Sequence, residues 1–169
     1  MRRRHPLPRT WLMTDERQGD GLWAALERLP RGGGIVFRHY GLEPGERRAL
    51  FARVRAVARR RGLTLVVAGP PLPGADGRHN RRGRGLVTAS AHDLGELRAA
   101  GRMGARLVFL SPVYPTRSHP GAPALGPRRF ARLARRTKLP VIALGGMDAA
   151  KARRLGGAYG WAAIDAWSG

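Results

Sequence analysis

Short apolar runs alternate with longer amphipathic stretches along nearly the whole chain. Trp11-Leu12-Met13-Thr14, Ile35-Val36-Phe37, Leu63 to Ala68, Leu86 to Ser90, Arg106 to Leu110, Pro140 to Leu144 and Trp161 to Ile164 read as strands. Thr64, Val66 and Val67 add β-branched side chains to the third of them. Between the strands the spacing turns helical. Leu22, Ala25, Leu26 and Leu29 share one face behind Asp20, a candidate N-cap. A longer helix is expected from Pro44 to about Arg60, with Pro44 in its first turn and Gly62 as its stop. Its expected apolar stripe is Leu50, Val54, Val57 and Ala58. Further helices are expected over Asp93 to Ala100, over Pro127 to Arg136, and from an Asp148 cap to Gly156-Gly157.

The middle of the chain interrupts this rhythm. Gly69-Pro70-Pro71-Leu72-Pro73-Gly74 cannot be helical, and Arg81-Arg82-Gly83-Arg84-Gly85 is a basic glycine loop. Between them Ala75 to His79 reads as one more short strand, and Ser111–Leu125 is a long loop. Strands apolar on both faces and alternating with helices mean a parallel sheet wrapped by helices. Eight strand candidates favour a closed (β/α)8 barrel, although pattern alone does not separate it from an open sheet. In either architecture the functional site belongs at the C-terminal ends of the strands.

A chain of 169 residues fits one domain, expected over 11–169 behind a basic arm at 1–10. The 43% hydrophobic content is enough for a buried core. The absence of cysteine excludes disulfides, thiolate metal sites and a cysteine nucleophile. No apolar run is long enough to span a membrane, and the basic start lacks the apolar stretch of a signal peptide, so a cytoplasmic protein is expected. With 32 Lys+Arg against 11 Asp+Glu the formal charge is +21, a field that draws phosphates or nucleic acid. The arginines are spread along the whole chain without a nucleic-acid-binding motif, so nucleic acid is a fallback and not the expected partner.

Several strand-end residues are candidates for chemistry. Arg38 follows the second strand, where a planar guanidinium can reach a phosphate or carboxylate. Ser90-Ala91-His92 ends the fifth strand candidate, and a histidine there can act as general acid or base. If it does not, His92 packs beside a helix capped by Ser90 or Asp93. The loop Ser111–Pro120 offers Thr116, Ser118 and backbone amides to anionic oxygens. Gly145-Gly146 follows the seventh, where barrels commonly seat phosphate. The five histidines lie far apart with no carboxylate cluster beside them, so no metal site is expected from spacing.

Taken together, LMTDER (12–17), VFRHYG (36–41), DGRHN (76–80), SAHDLGEL (90–97), LSPVYPTRSHPGAPALG (110–126), PVIALGGM (140–147) and GWAAIDA (160–166) resemble the thiamine phosphate synthase/TenI family. The resemblance implies a (β/α)8 barrel, usually a homodimer, that binds a thiazole phosphate or a pyrimidine pyrophosphate. Synthases of the family join the two with Mg2+, and the TenI branch includes a thiazole tautomerase. Carried over, Arg38 matches the substrate-binding arginine, Ser90 and His92 the SAH motif, and Thr116 and Ser118 the pyrophosphate-loop hydroxyls. Gly145 and Gly146 match the thiazole-phosphate loop.

The chain departs from the synthase pattern at definite places. Val36 and Tyr40 replace a glutamine and a lysine that flank the arginine, and His119 replaces the lysine of the pyrophosphate loop. The Asn-Asp pair that serves pyrimidine and Mg2+ is Ala68-Gly69, and the second metal aspartate falls within Arg81–Arg84. Asp165 stands where the family offers a small residue and amides to phosphate. These departures leave Mg2+ expected only for a synthase with an altered metal site. They favour TenI-like proton transfer, with His92 as acid/base and Arg38, Ser90, Thr116, Ser118, His119, Gly145, Gly146 and Asp165 around the ligand. A non-catalytic binding barrel is the further alternative. The frame is also reduced, with loops in place of helices after the third and fourth strands and no room for a full last helix. Exposed strand faces are therefore expected to need cover from a second subunit or from the arm.

Overall fold

Each apolar run forms a strand because its side chains can be buried on both faces at once. The computed structural model describes residues 6–117 and 120–167. The strands are β1 (Thr10–Met13), β2 (Gly34–Phe37), β3 (Thr64–Ala68), β4 (Gly77–His79), β5 (Leu86–Ala91), β6 (Leu107–Leu110), β7 (Val141–Ala143) and β8 (Gly160–Ala163). They pair in parallel in chain order, and β8 returns to β1 with Trp11 opposite Ala162, so the sheet closes into a barrel. Helices α1 (Gly21–Arg28), α2 (Pro44–Arg61), α3 (Leu94–Met103), α4 (Gly126–Ala134) and α5 (Ala149–Arg154) follow β1, β2, β5, β6 and β7. Loops alone connect β3 to β4 and β4 to β5.

Period-two alternation divides the core into layers. Trp11, Met13, Val36, Val66, Leu107, Phe109, Ile142 and Ala162 fill the barrel interior. Leu12, Ile35, Phe37, Leu65 and Val67 face outward against α1 and α2. Ala89, Val108, Leu110, Val141 and Ala143 do the same under Leu97 of α3 and Phe130 of α4. A Cβ on Gly34 would overlap the Trp11 indole, so glycine here is what lets that ring fill the interior. Residues 7–9 cross the opposite end from the strand termini that carry the site. Trp161 N–H donates to the Arg9 carbonyl at 2.8 Å, the Trp11 indole N–H to Pro8 at 2.9 Å, and the Tyr159 hydroxyl to Leu7 at 2.8 Å.

The helices follow the expected chemistry with two differences. Asp93 and Asp148 accept from the backbone N–H of Glu96 and Lys151, each at 2.8 Å, and left-handed Gly62 ends α2. Asp20 stands at the start of α1 but makes no capping bond; a 3-10 turn over Glu16–Gln18, capped by Asp15, precedes it. The buried face of α2 is Arg47, Phe51, Val54 and Ala58, with Leu50 and Val57 only half-buried. The expected stripe was rotated by about one position, because an arginine at an apolar position hid the true register. On the outer face of β3, Leu72 of the β3–β4 loop packs in one cluster with Leu65 and Val67. Among the described residues the exposed large hydrophobic is Tyr40.

Candidate functional site

The loop after β6 creates the site by lying across the end of β7. Val113 N–H donates to the Leu144 carbonyl at 2.9 Å and Tyr114 N–H to Gly145 at 3.1 Å. Gly145 and Gly146 have φ of +98° and +61°, and a Cβ on either would come within 2.7 Å of Pro112 or Pro115. Two glycines are thus required by backbone conformation and by the crossing loop together. Neither of their N–H groups donates to an acceptor within the described protein. A cleft of about 560 Å³ opens there. It is lined by the loop (Ser111, Thr116, Arg117), by Gly145, Gly146 and Lys151 after β7, and by Asp165 after β8, with His92 and Arg38 on its rim.

His92 stands just past the end of β5, with its side chain 59% exposed. Glu96, one turn into α3, accepts from both the His92 backbone N–H at 2.7 Å and Nδ1 at 2.8 Å. In the neutral imidazole a carboxylate on Nδ1 favours the proton there, which leaves the lone pair on Nε2. The packed alternative for this side chain is therefore not what the structure shows, and Asp93 alone caps α3.

Arg38 reaches the cleft, but most of its fork is engaged. Nε donates to the Thr14 carbonyl at 2.9 Å, and Nη2 to Asp15 Oδ2 at 3.1 Å. Burial pulls this guanidinium below its ordinary pKa, against the favourable charge of Asp15. Arg17 is held above its ordinary value, first by its hydrogen bond to Asp15 and also by the charge of Asp165. Asp165 therefore enters the cleft with an arginine in its field.

Ser90 does not line this cleft. Its hydroxyl lies 3.0 Å from His79 Nε2, and its N–H donates to Asn80 Oδ1 at 2.7 Å. His79 is buried in the barrel interior with Nδ1 on the Thr88 hydroxyl at 2.9 Å, and burial lowers its pKa to about 4. Ser118 and His119 lie outside the described residues.

Lys151 is the cleft residue that spacing did not single out. Its Nζ donates to the Gly146 carbonyl at 2.7 Å, lies 3.5 Å from Asp148 and sits 5.1 Å from the centre of the Tyr114 ring. The signal was present, since it is one of only two lysines and lies in the first turn after the glycine pair. Arg117 likewise stood in the loop without being marked as a lining residue.

The residues present do not fit the Mg2+ that a synthase would require. The ends of β3 and β4 offer Ala68, Gly69, His79 and Asn80, and the loop 81–85 contains no carboxylate. Among the described residues no group of three His, Cys, Asp or Glu could hold a metal ion. A hard cation seeking oxygen anions lacks its donors there. Nor is any described helix long and apolar enough to cross a membrane.

Comparison with known proteins agrees with the fold. The chain is 29% identical to the thiamine-phosphate synthase of Methylococcus capsulatus, over 85% of this chain and 73% of that protein. It is 31% identical to the thiamine-phosphate synthase of Thiobacillus denitrificans, over 79% of this chain and 73% of that one. Its fold matches a thiamine phosphate pyrophosphorylase structure from Pyrococcus furiosus with a TM-score of 0.78 at 23% identity, covering 96% of this chain and 88% of that one. Residues 70–167, more than half of the chain, match the family described as thiamine monophosphate synthase. The strand-end motifs, the closed barrel and these relatives lead to one conclusion: the chain belongs to the thiamine monophosphate synthase/TenI family.

Proposed function

We propose that the chain binds a thiazole-type monophosphate in the cleft over β5 to β8 and moves a proton on its ring, a tautomerase reaction. The observation that carries this reading is the His92–Glu96 pair on the cleft rim, with Nδ1 held at 2.8 Å and Nε2 left to work. Nε2 takes a proton from one ring position and returns one to another, so substrate and product are isomers and nothing else need bind. The N–H groups of Gly145 and Gly146 and the ammonium of Lys151 supply donors for the phosphate, while Arg38 and Thr116 orient the ligand from the sides. Asp165 disfavours a phosphate beside it and sets the anion toward Lys151. A homodimer is the assembly that the family resemblance suggests, and the cytoplasm the setting expected from composition.

A second reading, a thiamine-phosphate synthase with a rebuilt pyrophosphate site, is favoured by the activity that the relatives' names carry. One pair of assays separates the two. The purified chain is given the thiazole phosphate tautomer alone, followed by proton NMR, and separately both synthase substrates with Mg2+, followed by conversion of thiamine phosphate to a fluorescent product. Isomerisation without condensation supports the tautomerase. Condensation at enzyme-like rates would replace it with the synthase.

A further inference from the structure

Between the ends of β2 and β3 the barrel mouth is occupied by one of the chain's own side chains. Arg47 lies in the first turn of α2 on the face that sends Phe51, Val54 and Ala58 into the core, and it is 5% exposed. Its Nε donates to the His39 carbonyl at 2.9 Å, Nη1 to Pro70 at 3.0 Å and Nη2 to Ala68 at 2.7 Å. The guanidinium also lies 5.5 Å from the centre of the Phe37 ring. Gly69, at φ +74°, sits beside it, and a Cβ there would stand 3.3 Å from the Tyr40 ring and 3.7 Å from Arg47 Nη2. Three carbonyl oxygens from the ends of β2 and β3 thus converge on one fixed positive charge. Convergent carbonyls are the environment a bound cation takes, and a resident guanidinium both saturates them and repels a second cation.

We propose that Arg47 takes the place of a divalent cation at the ends of β2 and β3, so that this part of the mouth excludes metal and anion binding by the chain is independent of Mg2+. Ala68 and Gly69, where a synthase of the family would carry Asn-Asp, are then complementary to Arg47: the carboxylate and the metal have both been exchanged for one arginine. Arg78 adds a second guanidinium nearby, its Nη2 3.5 Å from the Gly69 carbonyl. The inference concerns the metal alone and stands whether or not His92 transfers a proton.

The test uses the full chain and two probes. Inorganic phosphate binding is measured by calorimetry in EDTA and in excess Mg2+, and Mn2+ uptake by loss of the free-ion electron paramagnetic resonance signal. The expected result is phosphate affinity equal within about twofold in the two buffers and no Mn2+ uptake. A tenfold tightening of phosphate by Mg2+, about 1.4 kcal/mol, would overturn the proposal, as would Mn2+ binding to the unaltered chain. Gly69→Asp restores a carboxylate at a position whose positive φ aspartate tolerates better than most residues. Alone it is expected to pair with Arg47 and take up no metal, whereas Arg47→Met with Gly69→Asp is expected to take up Mn2+. Equal Mn2+ binding by the single and double variants, or none by a folded double variant, would show that Arg47 is not what excludes the metal. Should the double variant fail to fold, Mn2+ uptake by Gly69→Asp alone would still overturn exclusion by Arg47, and the unaltered chain decides the Mg2+ independence.

Discussion

The two halves of the barrel mouth carry similar residue types and use them in opposite ways. Over β5 to β8, His92 is exposed, Lys151 is half-exposed and two glycine N–H groups have no acceptor within the described protein. Over β2 to β4, His39, Arg47 and His79 are buried. His39 Nδ1 meets the Thr14 hydroxyl at 3.1 Å, both ring nitrogens of His79 have partners, and each guanidinium nitrogen of Arg47 has a carbonyl. A polar group at a strand end is free for a ligand only when the protein has not already satisfied it. Position in the barrel brings a residue near the site; hydrogen-bond accounting decides whether it works there.

That contrast can be broken by substitution, and the largest effect is expected on the open side. His92→Ala should lower tautomerisation by about 10²- to 10⁴-fold while leaving thiazole phosphate affinity nearly intact. Initial rates and calorimetry measure the two, and unchanged turnover would remove His92 from the reaction. On the closed side Arg47→Met strips three carbonyls of their donor and should cost about 3 kcal/mol of stability in denaturant unfolding. A change too small to resolve would mean that those carbonyls find other partners.

The buried histidines give the closed half a pH signature. His79 has a folded pKa of about 4 against 6.5 unfolded, so the unfolded chain takes up its proton first. The stability it protects is complete above pH 6.5 and lost progressively as the pH falls from there towards 4, up to about 3 kcal/mol. Burial lowers His39 as well, which adds loss in the same direction. Unfolding midpoints measured across this range should flatten in His79→Gln, and a parallel curve would assign the pH dependence to other groups. A smaller effect is expected back in the cleft, where Lys151→Met should weaken inorganic phosphate binding about tenfold. Smallest is Asp165→Ser, which should tighten the same phosphate by about threefold, since an exposed carboxylate acts through solvent. No change would place the anion away from β8.

The eight strands were legible because β-rich apolar runs stand between clear breakers, from Trp11-Leu12-Met13 to Trp161-Ala162-Ala163. Even the three-residue β4 could be placed, since Gly74 and Arg81–Gly85 bracket it. The cleft was legible where a special backbone leaves a trace, as at Gly145-Gly146, and where a side chain of distinctive chemistry ends a strand, as at His92. Arg47 was not. Its place on the stripe with Phe51, Val54 and Ala58 is visible only if a charged residue is admitted to a buried face, and its three carbonyl partners come from residues 39, 68 and 70. The engagement of Arg38 by Asp15 is likewise a product of tertiary placement. Local spacing cannot report whether a polar group has found a partner elsewhere in the fold.

The seam between β1 and β8 also governs how the molecule comes into being. Trp11 must meet Ala162, and the Trp167 indole N–H donates to the Trp11 carbonyl at 3.1 Å, so partners about 150 residues apart in the chain close the ring. Until β8 arrives, β1 has one unpaired edge, and the β7 end lacks its own neighbour. Such distant pairing makes ring closure a late and slow step, because the entropy of joining the two ends is lost before their contacts form. On the ribosome, residues 10–143 can emerge as a seven-stranded open sheet whose free edges stay exposed until the β8 segment clears the exit tunnel. Edge-to-edge association of such an open sheet competes with ring closure until β1 and β8 have paired.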